Sequence, residues 1–423
     1  MRKYDSNTAD ITIDWSRFDE EVQTGVELCR IIEEEGYEAY IVGGCVRDIV
    51  EWYNAGANED PEIHDVDIAT NMPIDDLYAC KKFRCTSNNG EAHGTIVVLY
   101  GGYSYEVTQF RTDGDYSDGR HPDSVKFTKS FKDDTDRRDF TINAMGIDCE
   151  GNVIDYHNGV EDLEMRVLRT VGNPNERFSE DSLRIIRAMR FAARFGLDIE
   201  DETMEAITAG VHKLSNIARE RIGAELMKTA EYGHKPFYDV ISLLIKSGAN
   251  EIIDPEVLID WKNAKRLIRT CVLDEKAVLM ACLFNNIPKE NLKKAIDLFR
   301  YDNNLLKLLT YIYSNTDVVK NPEIDIVRAV KVITNKDIYH LCAYTLIRDG
   351  HVIPETTLEE YRALAKKVLP KSKDITAAVT AAGYSGPEFG RILNKVNAWY
   401  YKETLNGKQP SNAEVAEFID NTL

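Results

Sequence analysis

Tyr40-Ile41-Val42-Gly43-Gly44-Cys45-Val46-Arg47-Asp48 and, further along, His64-Asp65-Val66-Asp67-Ile68 are the stretches on which the reading of this chain turns. In the first, an apolar strand-like run from Ala39 to Val42 ends in two glycines, and Val46 to Tyr53 follows as a helix. Bare backbone N–H groups at such a turn can approach a phosphate, and a helix N-terminus favours negative charge. Arg47 stands where it adds a phosphate contact. A plain chain reversal needs the same glycines. The pair is not a dinucleotide fingerprint, because G-x-G-x-x-G is absent.

The second stretch alternates and reads as a strand, which puts Asp65 and Asp67 on one face. Adjacent carboxylates repel, and a bridging cation relieves them. Magnesium prefers oxygen ligands with phosphate as co-ligand. A pair of such ions can activate a hydroxyl and neutralise a leaving pyrophosphate. Glu106, on a neighbouring strand-like segment, is the candidate third acid. Taken alone, Asp-x-Asp reads more simply as a solvated strand edge. The glycine turn upstream moves the reading toward phosphate chemistry.

On either side the pattern is mixed, then helical. Residues 16–36 space Phe18, Val22, Val26, Leu28 and Ile31 as a helix does. Thr95 to Tyr100 and Tyr103 to Phe110 are strand-like and flank Gly101-Gly102, a two-residue hairpin turn. Thr112 to Pro122 reads as a loop, and Val125 to Phe127 as a short strand. Asp139 to Met145 opens another ordered element. Past residue 150 helices dominate, among them Ser179 to Phe195 and Asp201 to Thr208.

With 423 residues, 43% hydrophobic and 29% charged, the chain has room for about three domains with cores of their own. A net charge of -19 argues against a protein that coats nucleic acid with a broad basic surface, and leaves room for a local stripe. Eight cysteines form no C-x-x-C pair, so zinc ribbons and disulfide scaffolds are not expected, and a cytoplasmic location is. Met1 to Trp15 is polar and lacks the apolar core of a signal peptide. No run of about 18 apolar residues occurs, so no membrane contact is expected.

Five stretches carry a resemblance. They are Val42-Gly43-Gly44-Cys45-Val46-Arg47-Asp48, Asp65-Val66-Asp67-Ile68-Ala69-Thr70, Arg137-Arg138-Asp139-Phe140-Thr141-Ile142-Asn143-Ala144-Met145, Glu180-Asp181-Ser182-Leu183-Arg184 and Glu220-Arg221-Ile222. In this order they resemble the motifs of class II tRNA nucleotidyltransferases (CCA-adding enzymes) and of their relatives, the bacterial poly(A) polymerases. The resemblance implies an α+β fold class: a mixed-sheet nucleotidyltransferase head over 1–150, then an all-α neck over 151–235, body over 236–350 and tRNA-binding tail over 351–423. It implies Asp65 and Asp67 as ligands of Mg2+, and Gly43, Gly44 and Arg47 on a triphosphate. Arg138 and Asp139, with Asn143 in the same stretch, are implied to bind the triphosphate and ribose region. Read alone, Arg137-Arg138-Asp139 is also a solvated charge run.

Asp181 and Arg184 stand at i and i+3, where a helix puts them on one face. The resemblance makes them the nucleotide readers. A carboxylate accepts from an exocyclic amine, and a guanidinium donates to ring nitrogens or carbonyls. Cytosine and adenine both offer an amine beside an acceptor. Uracil and guanine turn a carbonyl toward the carboxylate, which leaves buried polar groups unpaired at a cost of about several kcal/mol. The plainer alternative is a surface ion pair worth at most about 0.5 kcal/mol.

Residues 160–195 hold seven arginines and no lysine. Arg184, Arg187, Arg190 and Arg194 fall on one helix face near Phe191 and Phe195, which suits phosphate gripping and base stacking. Pairing with Glu161, Asp162, Glu164 and Glu176 is the alternative. In the resembled family a loop at Thr112 to Pro122 helps the change from C to A addition. Asp118-Gly119-Arg120-His121-Pro122 is retained here, which implies addition of the full CCA.

Where relatives carry a His-Asp hydrolase core, Ala281 to Pro288 holds no such pair, so hydrolase activity is not expected. His340 and His351 are isolated and read as structural or exposed. Ala382 to Arg391 reads as a turn into a helix start, with Pro387 in the first turn. The expected reaction is Mg2+-dependent attack of a tRNA 3′-hydroxyl on the α-phosphate of CTP or ATP, without a nucleic-acid template. The expected partners are tRNA, CTP and ATP. A poly(A) polymerase, a partial (CC- or A-) adding enzyme and a non-catalytic tRNA-binding protein are the rivals.

Overall fold

The computed structural model describes residues 8–57, 61, 63, 65–86, 91, 94–114, 125–256, 258–271 and 273–421. The chain divides into one unit of Met1–Thr229 with Asp239–Pro255 and another of Ala230–Tyr238 with Glu256–Leu423.

Ten strands open the first unit: β1 (Thr8–Thr12), β2 (Ala39–Val42), β3 (Asp67–Thr70), β4 (Arg84–Thr86), β5 (Thr95–Tyr100), β6 (Tyr103–Gln109), β7 (Arg111–Asp113), β8 (Val125–Phe127), β9 (Met145–Ile147) and β10 (Asn152–Asp155). Eight of them form one sheet in the order β1-β10-β9-β2-β3-β6-β5-β4, and β7 pairs with β8 apart from it. Within the large sheet β3 and β6 run parallel, and the other pairings are antiparallel. The mixed-sheet expectation is met. The sheet also runs past residue 150, through β10.

Helix α1 (Glu20–Glu34) starts where Asp19 accepts the Val22 N–H, with Glu20 and Glu21 in its first turn. It buries Val22, Val26, Leu28, Cys29 and Ile32. Gly25 allows the close approach, since a Cβ there would meet Val66 at 3.0 Å and Tyr105 at 3.1 Å. The β5–β6 hairpin turns at Gly101 and Gly102, with φ of 57° and 92°. Two positive φ values define the turn type whose twist matches the strands.

Register decides where the chemistry goes. Gly146 lies opposite Val42, Val42 opposite Asp67, and Asp67 opposite Glu106. One row across four strands therefore brings three features to the same end of the sheet. They are the glycine turn after Val42, two acids, and the segment leading into β9. Helix α2 (Gly44–Asn54) follows the turn, and α3 (Ile74–Ala79) follows β3. Helix α4 (Phe131–Asp136) is seated by Phe131, which stacks on Tyr40 at 4.3 Å and lies over Gly146. A Cβ at 146 would come within 2.5 Å of that ring. This seat delivers the residues after α4 to the row.

Two expectations change. The strand expected over His64–Ile68 begins at Asp67, and His64 lies outside the described residues. Asp65 precedes the strand in a left-handed conformation, φ 56°, which aspartate tolerates. The same-face argument for residues two apart on a strand therefore does not apply. Ser179 to Phe195 is not one helix but parts of two, α6 (Pro174–Glu180) and α7 (Leu183–Phe195), after α5 (Gly159–Glu164). Asp181 breaks them with extended angles, φ -135° and ψ 103°.

The remaining helices touching the first unit are α8 (Asp201–Gly210), α9 (Arg219–Glu231), α10 (His234–Ser247) and α11 (Ala249–Ile253); α9 and α10 carry residues of both units. The second unit is helical among its described residues: α12 (Trp261–Thr270), α13 (Lys276–Leu283), α14 (Lys289–Leu298), α15 (Asn303–Lys320), α16 (Ile326–Ile333), α17 (Ile338–Asp349), α18 (Glu355–Val368), α19 (Ser372–Ala381), α20 (Gly386–Leu405) and α21 (Asn412–Asp420). Asp260, Asp302, Asp325 and Ser411 cap four of these helices, Ser411 in a full capping box with Glu414. The turn after α13 buries Asn285, whose amide oxygen accepts from Tyr344 Oη at 3.1 Å. No helix among the described residues is long and apolar enough to cross a membrane.

Candidate active site

Asp67 sits at the centre of the row, partly buried, with its carboxyl pushed up to about 6. Burial is the main cause, Glu106 adds to it, Arg138 opposes it, and Asp65 adds a smaller push. Asp65 and Glu106 are exposed. Gly43 is needed twice over. Its φ of 81° and ψ of -143° lie where only glycine is comfortable, and a Cβ there would stand 3.0 Å from Asp67 Oδ2. Gly43, the residue that caps α2, has no side chain to take up the helix's first N–H groups.

Asp65, Asp67 and Glu106 offer carboxylate oxygens, the donor type a hard divalent cation takes. The Cys45 thiol nearby is buried and pushed up to about 12, so it stays protonated and offers no ligand. Glu33, Cys149 and Glu150 form a tighter group, with ligand atoms within 4.8 Å of one another, a distance that Asp65, Asp67 and Glu106 do not all reach. Cys149 Sγ donates to Glu33 Oε2 at 3.0 Å, and burial and that bond raise its pKa. A protonated thiol suits magnesium poorly.

Arg137, Arg138 and Asp139 follow α4. Asp134 is fully buried and accepts Arg137 Nε and Nη2 at 3.0 and 2.8 Å, and Arg138 Nη2 at 3.2 Å. Burial alone would raise its pKa, but the two guanidiniums hold it below the ordinary carboxylate range. Arg138 also donates to the Asn143 carbonyl at 3.1 Å, and its buried Nε has no partner. A guanidinium with a donor in reserve thus stands beside the acids.

Asn143 ends a 3-10 turn, Thr141–Asn143, and links both sides of the site. Its Nδ2 donates to Asp139 Oδ1 at 3.2 Å, and its Oδ1 accepts Arg47 Nη1 at 2.8 Å. Arg47 was expected on the phosphates. The structure turns it inward, 3% exposed, with Nε and Nη2 on Asp48 Oδ1 at 2.9 and 2.8 Å. A buried guanidinium needs acceptors, and Asp48 and Asn143 supply them.

Asp139 Oδ2 accepts Arg187 Nε and Nη2 at 3.0 and 2.6 Å. Burial would raise the Asp139 pKa, but Arg187 and then Asn143 hold it low. The two expected nucleotide readers do not pair with each other. Asp181 accepts the Leu183 N–H at 3.0 Å and Arg221 Nη1 and Nη2 at 3.3 and 2.8 Å. Arg184 donates to Glu180, to the Arg177 carbonyl at 3.2 Å and to the Arg137 carbonyl at 3.1 Å.

The open arginine stripe is corrected too. Helix α7 buries Leu183, Ile185, Ile186 and Met189 and takes Arg184 and Arg190 inside with them. Arg190, 4% exposed, pairs with Glu225, and Phe191 and Phe195 carry guanidiniums on their faces. Of the acids named from sequence, Asp162 is engaged, with Arg169. Glu225 and the partner role of Arg221 were missed, because both lie on α9, far along the chain. The retained loop residues Asp118 to Pro122 lie outside the described residues, between β7 and β8.

Residues 39–169 match the family model "Poly A polymerase head domain", and residues 196–258 match "Probable RNA and SrmB- binding site of polymerase A". The chain is 34% identical over 335 residues to the CCA-adding enzyme of Oceanobacillus iheyensis, covering 77% of both chains. It is 29% identical to that of Lactobacillus helveticus over 93% of this chain and 96% of the relative. The crystal structure of the Bacillus stearothermophilus CCA-adding enzyme in complex with CTP superposes with a TM-score of 0.71 at 25% identity, over 96% of this chain and 98% of that one. With the glycine turn, the acids and the arginine loop at one sheet end, these matches place the chain in the family of CCA-adding enzymes, metal-dependent nucleotidyltransferases with a poly(A) polymerase-type head.

Proposed function

We propose that this chain adds C, C and A to the 3′ end of tRNA from CTP and ATP, with Mg2+ as its metal and without a nucleic-acid template. The observation that carries the reading is the strand register that sets Val42, just before the glycine turn, beside Asp67 and Asp67 beside Glu106, with Arg138 acting on Asp67. Asp65 and Asp67, with Glu106 beside them, would hold Mg2+. When bound, the metal supplies positive charge that favours an attacking alkoxide and a leaving pyrophosphate.

The chain's own groups do the rest. The N–H groups at Gly43 and Gly44 and the remaining Nη donors of Arg138 receive the triphosphate. Asp139, kept ionised by Arg187, already accepts from Phe140, Asn143 and Arg187, so it serves the ribose side by ordering Asn143 and Arg187 rather than by accepting from hydroxyls. Arg47 acts on the site through Asn143 rather than by touching phosphate. For base reading, a carboxylate has about four acceptor sites and a guanidinium about five donors. Leu183 and Arg221 use three of those at Asp181, and Arg184 has spent three of its own, so acceptor and donors remain for a pairing edge. The selection logic for C and A over U and G therefore survives the pairings.

We divide the labour among a head over 1–150 whose sheet continues through β10, a neck over 151–235, a body over 236–350 and a tail over 351–423 that holds tRNA. Eight free cysteines support a cytoplasmic setting. The test is incubation with tRNA ending at the discriminator base, with CTP, ATP, UTP and GTP supplied singly and mixed, followed by sequencing. C, C, A and then arrest is expected. Long A tails would make the chain a poly(A) polymerase, arrest at CC a partial enzyme, and no incorporation would sink the proposal.

A further inference from the structure

We infer that Phe191 and Phe195 are positioning residues for nucleotidyl transfer, the aromatic seat of a closed ring of contacts that fixes the Arg138–Asn143 segment against the acids. The inference rests on the nucleotidyl-transfer reading above.

The ring can be followed from atom to atom. The Arg47 guanidinium lies 4.1 Å from the Phe195 ring centre. Its Nη1 donates to Asn143, and Asn143 donates to Asp139. Asp139 accepts Arg187, whose guanidinium lies 5.3 Å from the Phe191 ring centre. Phe191 and Phe195 stack at 6.1 Å with 12° between their planes, which closes the circuit. Phe140, inside the positioned segment, meets Phe191 edge-on at 5.6 Å.

An aromatic face suits this place for a physical reason. Arg47 already spends its edge donors on Asp48 and Asn143, so what needs support is its flat face. A ring face attracts a cation without taking a donor from it or neutralising it. An aliphatic side chain fills the space but offers no such attraction. If the face is lost, Arg47 is freer to leave Asn143. Asn143 in turn holds Asp139 through its side chain and Arg138 through its carbonyl. Both phosphate-side and ribose-side groups would loosen together. Asp181 is held by Leu183 and Arg221, and Arg184, besides its bond to the Arg137 carbonyl, keeps Glu180 and the Arg177 carbonyl, so both retain anchors that the ring does not supply.

The experiment compares Phe195→Leu with Phe195→Tyr in the full chain. Steady-state CTP and ATP incorporation into tRNA is measured alongside hydrogen exchange of amides 138–146. The leucine variant should lower kcat/KM for CTP and for ATP by about tenfold alike. It should leave KM for tRNA and the C-over-U preference unchanged, and speed exchange over 138–146. The tyrosine variant, which keeps the ring face, should restore both readouts. Phe191→Leu should act in the same direction. Wild-type behaviour of Phe195→Leu in both readouts would overturn the inference, and so would equal damage from leucine and tyrosine. A wild-type chain that incorporates nothing would defeat the proposed function instead, while the exchange comparison would still decide the ring.

Discussion

Replacing Asp67 with asparagine should abolish nucleotide incorporation and yet make the metal-free protein more stable at neutral pH. In the folded chain this carboxyl is raised from its ordinary value of 3.8 to about 6, mainly by burial and then by Glu106. The folded state therefore binds the proton more tightly than the unfolded state. Stability from this group is fully present below pH 3.8, is lost as pH rises toward 6, and the penalty is complete above that. A tenfold change in proton affinity corresponds to about 1.4 kcal/mol, so the ceiling is about 3 kcal/mol. Asp67 is only partly buried, and solvent screening reduces the expected gain to about 1–2 kcal/mol. For a unit of this size that corresponds to a rise of about 2–6 °C in Tm. The assay is thermal unfolding of both proteins in EDTA between pH 4 and 8. The gain should be near zero at the acid end and full near neutrality. Added Mg2+ should then stabilise the wild type and not the variant. An asparagine variant that is less stable at neutral pH, or whose gain does not shrink on acidification, would refute this account of the acids.

Gly43→Ala should fold and lose at least about tenfold in incorporation, because a positive φ and a 3.0 Å approach to Asp67 Oδ2 leave no room for a methyl group; steady-state rates check it, and unchanged activity would remove the turn from the site. Asp181→Ala should keep tRNA binding and lose the preference for CTP over UTP, read by competitive incorporation; an unchanged preference would end its role as a reader. Glu225→Ala should remove the carboxylate paired with buried Arg190 and cost up to about 3–5 kcal/mol, visible in denaturant unfolding. That variant should still prefer CTP over UTP in whatever fraction remains folded, and a selective loss of preference would give Glu225 a direct role.

Several features could be read from the chain because their causes are local. The Gly101-Gly102 hairpin and the turn at Gly43 follow from backbone freedom that belongs to glycine itself. Asp67 and Glu106 could be nominated because each lies in a strand-like stretch, and the register then set them side by side. Pro387 in the first turn of α20 was legible for the same local reason. Asp65 lies before the strand, which starts three residues later than alternation suggests.

What required the tertiary structure was the distant partners of the buried charges, beyond local pairs such as Asp134 with Arg137 and Arg184 with Glu180. Arg47 carries the same neighbours in sequence whether it faces phosphate or protein. Only the fold brings Asn143 and Phe195 to it. The arginines of α7 look like an exposed stripe until Asp139 and Glu225 arrive from distant segments. Asp181 and Arg184 were expected on one helix face, and only the fold shows the helix break at Asp181 and the Arg221 that takes its carboxylate. Backbone geometry is decided within a few residues and leaves its mark on the local pattern. Charges such as Arg187 and Arg190 must instead find their counterparts across the assembled core, and no spacing rule along the chain records that meeting.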